Sequence, residues 1–217
     1  MKKIELPTID FQAETVILAN GEFPQSEIAL SILDKAQYLV CCDGATNQLL
    51  NNHSRLPDAI VGDCDSVSKE NFERFFDIIH RVPDQDTNDL TKAVNFCRSQ
   101  GRTHITFLGA TGKREDHTLA NISLLARYLD IQEANFRMIT DYGVFDAVSQ
   151  DSEFESFVGQ QVSLFNMSGT TISSSNLKYP LENHTLNHLW EGTLNESLAD
   201  SFRLLLNGKY VVFREFR

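Results

Sequence analysis

Short apolar runs at residues 16–18, 38–42, 59–61, 78–82, 105–108 and 136–140 alternate with longer stretches of helical character at 26–35, 45–52, 68–76, 89–100 and 116–129. This alternation constrains the fold more than any other feature of the chain. Strands this short, each followed by a helix, run parallel to one another, because a crossover helix returns the chain to the edge it started from. The pattern therefore predicts an N-terminal, mostly parallel, Rossmann-like sheet with helices on both faces. Within 89–100, Leu90, Ala93, Val94 and Cys97 recur at helical spacing. The 116–129 stretch is apolar on most sides through Leu119, Ala120, Ile122, Leu124, Leu125 and Tyr128, and is expected to be well buried.

The pattern changes near Asp146. From there to residue 217 no convincing helix is legible, and 153–157, 161–165, 170–173 and 202–206 read as short strands. Asn207-Gly208 between the apolar stretches 202–206 and 210–213 is a strong hairpin signal. The expected organisation is an α/β domain over 1–145 followed by a smaller all-β sandwich domain over 146–217.

A net charge of -11 argues against a nucleic-acid partner, which needs a basic face to meet phosphates. No apolar run approaches membrane-spanning length, so no membrane partner is expected. Cys41, Cys42, Cys64 and Cys97 form no C-x-x-C pair and no zinc pattern. They read as reduced, buried thiols, which together with the absence of a secretory start fits the cytoplasm.

Four acidic clusters fall just past four of the apolar runs. Asp43-Gly44 follows 38–42, and Gly62-Asp63-Cys64-Asp65-Ser66 follows 59–61. Asp84, Asp86 and Asp89 follow 78–82, while Thr111-Gly112-Lys113-Arg114-Glu115-Asp116 follows 105–108. In a parallel sheet all four collect beyond the carboxyl ends of the strands, where ligands bind in open α/β folds. Carboxylates crowded there repel one another, and a cation is the natural occupant. Asp63 and Asp65 are two apart, which on extended backbone points both side chains to one side. Two hard oxygen ligands side by side suit Mg²⁺.

The other segments add phosphate chemistry. Asp86-Thr87-Asn88-Asp89-Leu90-Thr91-Lys92 straddles a helix start, where Asp or Thr can cap the free backbone N–H groups. Asp89 and Lys92 also share a helix face, offering a carboxylate to a metal and an ammonium to a phosphate. Around Gly109 and Gly112 the backbone can approach a ligand closely, and Arg114 can hold phosphate bidentately. The turn is not a P-loop, because Arg114 stands where Ser or Thr should be. Gly44 suggests close backbone approach to a ligand, or simply a tight βα turn.

Taken together, Cys42-Asp43-Gly44-Ala45-Thr46-Asn47, the 58–66 segment, the 86–92 segment and Gly109 to His117 resemble the thiamine pyrophosphokinase family in order and approximate spacing. The resemblance implies an α/β nucleotide domain followed by a β-sandwich, a homodimer with thiamine near the subunit interface, and Mg²⁺-dependent transfer of the pyrophosphoryl group of ATP to thiamine with release of AMP. Carried over by position, Asp63, Asp65, Asp89 and Asp116 form the acidic centre, with Asp63, Asp65 and Asp89 as metal ligands. Either Asp89 or Asp116 accepts the thiamine hydroxyl proton. Asp43, Gly44, Asn47, Asp86, Thr87, Lys92, Gly112 and Arg114 are the implied phosphate or nucleotide contacts.

Farther on, Leu177-Lys178-Tyr179-Pro180-Leu181 resembles a family stretch usually preceded by Gly. Asn176 precedes it here, and Asn also tolerates left-handed backbone. The family often has Ser before an Asn near the thiamine site, and here Leu194 precedes Asn195. Trp190, Thr193 and Asn195 are the implied thiamine contacts, with Trp190 either stacking on a cationic ring or serving the β-domain core. A Mg²⁺-dependent phosphohydrolase using Asp63 as nucleophile and a non-catalytic nucleotide or thiamine sensor are the competing readings.

Overall fold

The computed structural model describes residues 1–84 and 86–217. It opens with β1 (Lys2–Ile4), β2 (Thr15–Leu18), α1 (Glu27–Lys35), β3 (Tyr38–Cys42), α2 (Ala45–Asn52) and β4 (Ala59–Gly62). Next come α3 (Lys69–Arg74), a 3₁₀ turn (Phe76–Ile78), β5 (Ile79–Arg81), α4 (Asp89–Ser99), β6 (His104–Leu108), α5 (Glu115–Tyr128) and β7 (Asn135–Ile139). The remainder is β8 (Gly143–Val148), β9 (Ser152–Glu155), β10 (Gln161–Asn166), β11 (Thr171–Ser175), β12 (His184–Thr185), a 3₁₀ turn (Leu189–Gly192), β13 (Asn195–Glu196), β14 (Ser201–Leu206) and β15 (Tyr210–Glu215). The chain divides into two compact units. One comprises Ile9–Asn121 and Glu133–Asp141, the other Met1–Thr8, Ile122–Gln132 and Tyr142–Arg217.

In the first unit the strand order is β7-β6-β2-β3-β4-β5, with every neighbouring pair parallel. β2 and β4 are buried along their whole length, as interior strands covered on both faces must be. Ser26, Ser68 and Asn88 each accept a backbone N–H three residues on and so start α1, α3 and α4. From β2 the chain steps outward through β3, β4 and β5, then returns to place β6 on the other side of β2. The crevice between the ends of β2 and β6 is thus the topological switch point, where open α/β sheets take ligands.

The second unit is rich in β structure. β13-β10-β15-β8 pair antiparallel. β1-β9-β14-β11-β12 form the other layer, antiparallel except for β1 beside β9. Over the whole chain the β structure is therefore mixed. Along β14, Phe202, Leu204 and Leu206 point inward and Arg203 and Leu205 outward, the two-residue period of a strand with one buried face. The inward set joins Phe154, Val162, Leu164 and Val212 in one core, with the Phe154 and Phe202 rings stacked at 5.0 Å.

Two expectations fail here. Asn207-Gly208 does not close a hairpin: β14 pairs with β9 and β11, whereas β15 pairs with β8 and β10. The turn carries the chain from one layer to the other, because each strand finds two partners in its own layer and an Asn-Gly turn dictates only a reversal of direction. Nor is α5 well buried. Only Leu125, Ala126 and Tyr128 are buried, and Leu119 is 62% exposed. Apolar residues spread around a helix cannot all face one layer. Among the described residues no helix is long and apolar enough to cross a membrane.

Candidate functional site

The acidic residues converge because β3 and β4 are parallel neighbours. Cys42 lies opposite Val61, so the residues that follow both strands emerge side by side. Asp43 donates its N–H to the Val61 carbonyl at 3.1 Å. A Cβ at position 62 would fall 2.9 Å from the Asp43 Cβ, so Gly62 leaves the room that the Asp43 side chain occupies. Asp43 is buried. Its Oδ2 accepts the Ser66 N–H at 3.3 Å, and its Oδ1 is buried with no hydrogen-bond partner.

One carboxylate oxygen from each of Asp43, Asp63 and Asp65 lies within 4.8 Å of the others. Asp63 and Asp65 do meet, though not by the strand alternation expected of them. Cys64 between them is left-handed at φ 66, and the Asp65 N–H turns back toward Asp63 Oδ1 at 3.4 Å. Burial pushes the Asp43 carboxyl up to about 6, against the Ser66 N–H and with the nearby charges of Asp89, Asp63 and Asp65. A buried carboxylate with one unpartnered oxygen, grouped with two more carboxylates, fits a hard divalent cation such as Mg²⁺.

Asp43, which the acidic pattern placed among the clusters around a cation and the family resemblance implied only as a nucleotide contact, is thus a candidate ligand. Asp89, expected as a ligand, lies in the first turn of α4, where its Oδ1 accepts from Lys92 Nζ at 3.2 Å. Lys92 Nζ also stands 3.7 Å from Asp63 Oδ2, and the Lys92 side chain is only 4% exposed. Burial alone would lower the Lys92 pKa, but the hydrogen bond and charge of Asp89, with Asp63 and Asp84, outweigh it and leave it raised.

The segment ahead of α4 is organised by Asp84. Its carboxylate accepts the Thr87 hydroxyl at 2.6 Å and the Asp86 N–H at 2.9 Å, and these bonds hold its pKa below the usual carboxylate range. Asn88, rather than Asp or Thr, is the helix cap, accepting the Thr91 N–H at 3.0 Å. Asn47 is also occupied within the protein: it donates to the Ser66 carbonyl at 2.8 Å and accepts from Asn71 Nδ2 at 2.8 Å. It braces the loop that carries Asp65. Gly44 sits where a Cβ would come within 2.5 Å of Asn20 Nδ2.

A cleft of about 420 Å³ opens at the switch point, and its lining includes Asp63, Thr87, Asp89 and Lys92 together with Gly112, Lys113, Arg114 and His117. The loops after β2 and β6 are clasped together. Gly21 N–H donates to Gly109 O at 2.7 Å, Glu22 N–H to Thr111 O at 2.8 Å, and Lys113 Nζ to Asn20 O at 3.0 Å. Gln48 Nε2 donates to Asn20 Oδ1 at 2.6 Å. Asn20-Gly21 occupies the same position after its strand as the acidic clusters do after theirs, but it carries no charge and so lies outside the acidic pattern.

Arg114 forks onto Asp116, at 3.1 Å from Nε and 2.6 Å from an Nη, and both side chains are exposed. Arg114's hydrogen bond holds the Asp116 carboxyl down at about 2. Asp116 is not one of the three carboxylates whose oxygens lie within 4.8 Å of one another. The loop clasp is close enough to test directly. A Cβ on Gly21 would lie 2.3 Å from Thr111 O and 2.4 Å from Gly109 O. Gly21→Ala is expected to cost about 1–3 kcal/mol by forcing these loops apart, measured as a lower midpoint of unfolding. An unchanged midpoint would mean that the clasp yields freely.

In the β-rich unit, Trp190 is 71% exposed on the 3₁₀ turn and takes no part in the core. Thr193 Oγ1 donates to Trp190 O at 2.7 Å. Asn195 is buried and its amide is used internally, accepting the Tyr179 N–H at 3.1 Å and donating to the Tyr179 carbonyl at 2.8 Å. It therefore fixes the backbone beneath an exposed Tyr179 ring. Asn176 and Leu194 both adopt left-handed backbone, at φ 62 and 58. For Leu194 this costs energy that Asn176 largely avoids.

Residues 29–140 match the family described as thiamin pyrophosphokinase, catalytic domain, and residues 143–213 match thiamin pyrophosphokinase, substrate-binding domain. Thiamin pyrophosphokinase 1 of Caenorhabditis elegans is 31% identical over 191 residues, covering 82% of this chain and 78% of the relative. Thiamine pyrophosphokinase 1 of Oryza sativa subsp. japonica is 31% identical over 55% of this chain and 54% of its own length. Among solved structures, thiamin pyrophosphokinase from Candida albicans superposes with a TM-score of 0.82 at 19% identity, over 100% of this chain and 93% of that one.

Proposed function

The chain belongs to the thiamine pyrophosphokinase family, and from that premise we propose a division of labour in which the α/β part, over 1–145, binds ATP and Mg²⁺ and the β-rich part, over 146–217, binds thiamine. The reaction is transfer of the pyrophosphoryl group of ATP to the thiamine hydroxyl, giving thiamine diphosphate and AMP. The observation that carries this reading is a single cleft holding carboxylates and cations together: Asp63 and Asp89 with Lys92, Lys113 and Arg114. A nucleotide polyphosphate needs both, one to engage a metal and the other to meet its oxygens.

Mg²⁺ held by Asp43, Asp63 and Asp65 would neutralise and orient the phosphates. Arg114 presents a fork, now resting on Asp116, whose geometry matches phosphate as well as carboxylate. The thiamine oxygen forms its bond to the β-phosphorus while the bond from that phosphorus to the α–β bridging oxygen breaks, and the electron pair leaves with AMP. Of the two carboxylates considered for the hydroxyl proton, each of which has a cation partner, Asp89 is the better placed, because it lines the cleft with Asp63 and Asp116 is not among the lining residues. In the β-rich unit, Trp190 and Tyr179 are exposed and offer aromatic faces to a cationic thiazolium ring. Exposed Tyr142, Val158, Trp190 and Leu194 in that unit support a homodimer that covers apolar surface. Four free cysteines, three of them buried, support a reducing compartment such as the cytoplasm.

The test is incubation of the purified protein with ATP, Mg²⁺ and thiamine. Equal, thiamine-dependent yields of AMP and thiamine diphosphate are expected. ADP with thiamine monophosphate would mean γ-phosphoryl transfer. Nucleotide hydrolysis indifferent to thiamine would mean a hydrolase, and binding without turnover a sensor.

A further inference from the structure

Asp63 belongs to two groups at once. It shares the three-carboxylate set with Asp43 and Asp65, and it is a partner of the Lys92 ammonium at 3.7 Å. Lys92 is anchored from its other side by Asp89 at 3.2 Å, and its side chain is 4% exposed. It is therefore a fixed positive charge, not a mobile surface lysine that solvent can screen. Its position in the fourth residue of α4, a helix packed on β3 and β4, leaves it little freedom to withdraw.

We propose that Lys92 is the standing counter-ion of the acidic centre: it holds Asp63 and Asp89 in place when no divalent cation is bound, and by the same interaction it weakens binding of that cation. The two effects are linked. A cation drawn to Asp63 must share that carboxylate with a charge of its own sign, and the difference in Lys92's interaction between the metal-free and metal-bound protein is subtracted from metal affinity. The consequence for function is a site that keeps its shape without metal and takes Mg²⁺ loosely enough for the ion to arrive and depart with the nucleotide. This inference rests on the assignment of the cation site given above.

The experiment compares the unsubstituted full chain with Lys92→Met and Lys92→Arg after chelator treatment. Unfolding midpoints are measured without metal, and Mg²⁺ is titrated calorimetrically in the absence of nucleotide. Metal-free Lys92→Met is expected to melt several degrees lower, yet to half-saturate at about tenfold less Mg²⁺, within the usual range of coupling between sites. Lys92→Arg, which keeps the charge, is expected to stay close to the unsubstituted chain in both measurements. Should Lys92→Met not fold without metal, Lys92→Gln is read in the same way. Failure of both to fold even in saturating Mg²⁺ would overturn the proposal, because the ion should then replace the ammonium. Unchanged or weaker Mg²⁺ binding by folded Lys92→Met, beside normal binding by the unsubstituted chain, would overturn it alone. No Mg²⁺ binding by the unsubstituted chain would remove the cation-site assignment and this inference with it.

Discussion

Asp63→Asn is expected to leave the protein folded and to lower the rate of AMP formation by about a hundredfold or more. The amide keeps the shape of the carboxylate and can still accept the Asp65 N–H that turns toward it, so the loop should hold. What it removes is one charge from a set of three oxygens within 4.8 Å of one another. Lys92 retains Asp89 at 3.2 Å, so no buried ammonium is left without a carboxylate, and the unfolding midpoint should move by only a few degrees. The Mg²⁺ concentration needed for half-maximal rate should rise together with the fall in kcat. A variant with near-normal turnover and unaltered Mg²⁺ dependence would take Asp63 out of the acidic centre.

The reason Asp63 could be singled out from residues alone is that the first unit obeys a local rule. A short strand, a turn and a helix are each written within about ten residues, so β2 to β7 were legible to within a residue or two. The convergence of Asp43 with Asp63 depends on something less local, the parallel register that sets Cys42 opposite Val61. Once consecutive strands are taken as neighbours that register follows, and Gly62 is the residue that makes room. Asp89 and Asp116 also follow their strands, and the structure pairs each with a cation of its own helix or turn, Lys92 and Arg114. Sequence spacing does not reveal such pairings. In the second unit the decisive contacts are remote. β1 is a short strand with two lysines, and its partner β9 lies some 150 residues away. The Asn-Gly turn misled because a turn signal says where the chain reverses and nothing about which strands then pair.

Asp146→Ala is expected to cost about 3–5 kcal/mol, the largest stability effect in the chain, because it strands a buried guanidinium. Arg214 is fully buried and meets Asp146 Oδ2 at 2.6 Å. Its two Nη atoms also reach backbone carbonyls: Glu155 O at 2.6 Å, Glu5 O at 3.1 Å and Ile4 O at 3.3 Å. One side chain of β15 thereby fastens the N-terminal segment onto the β-rich unit, and the Phe154 ring lies 5.2 Å from its guanidinium carbon. Removing the carboxylate leaves the buried charge without the anion that neutralises it. For a chain of this size the loss corresponds to a fall of roughly 10 °C in the unfolding midpoint. The double replacement Asp146→Leu with Arg214→Met should recover part of that fall, since an apolar pair of similar volume avoids burying charge at all. Recovery would also tell apart two roles of the pair. If the double variant regains the midpoint but exposes the first eight residues to proteolysis, the guanidinium's bonds to Ile4 and Glu5 specify where the N-terminal strand docks. If both return, packing alone directs it. A drop of less than about 1 kcal/mol for Asp146→Ala would mean that the carbonyls alone suffice for Arg214.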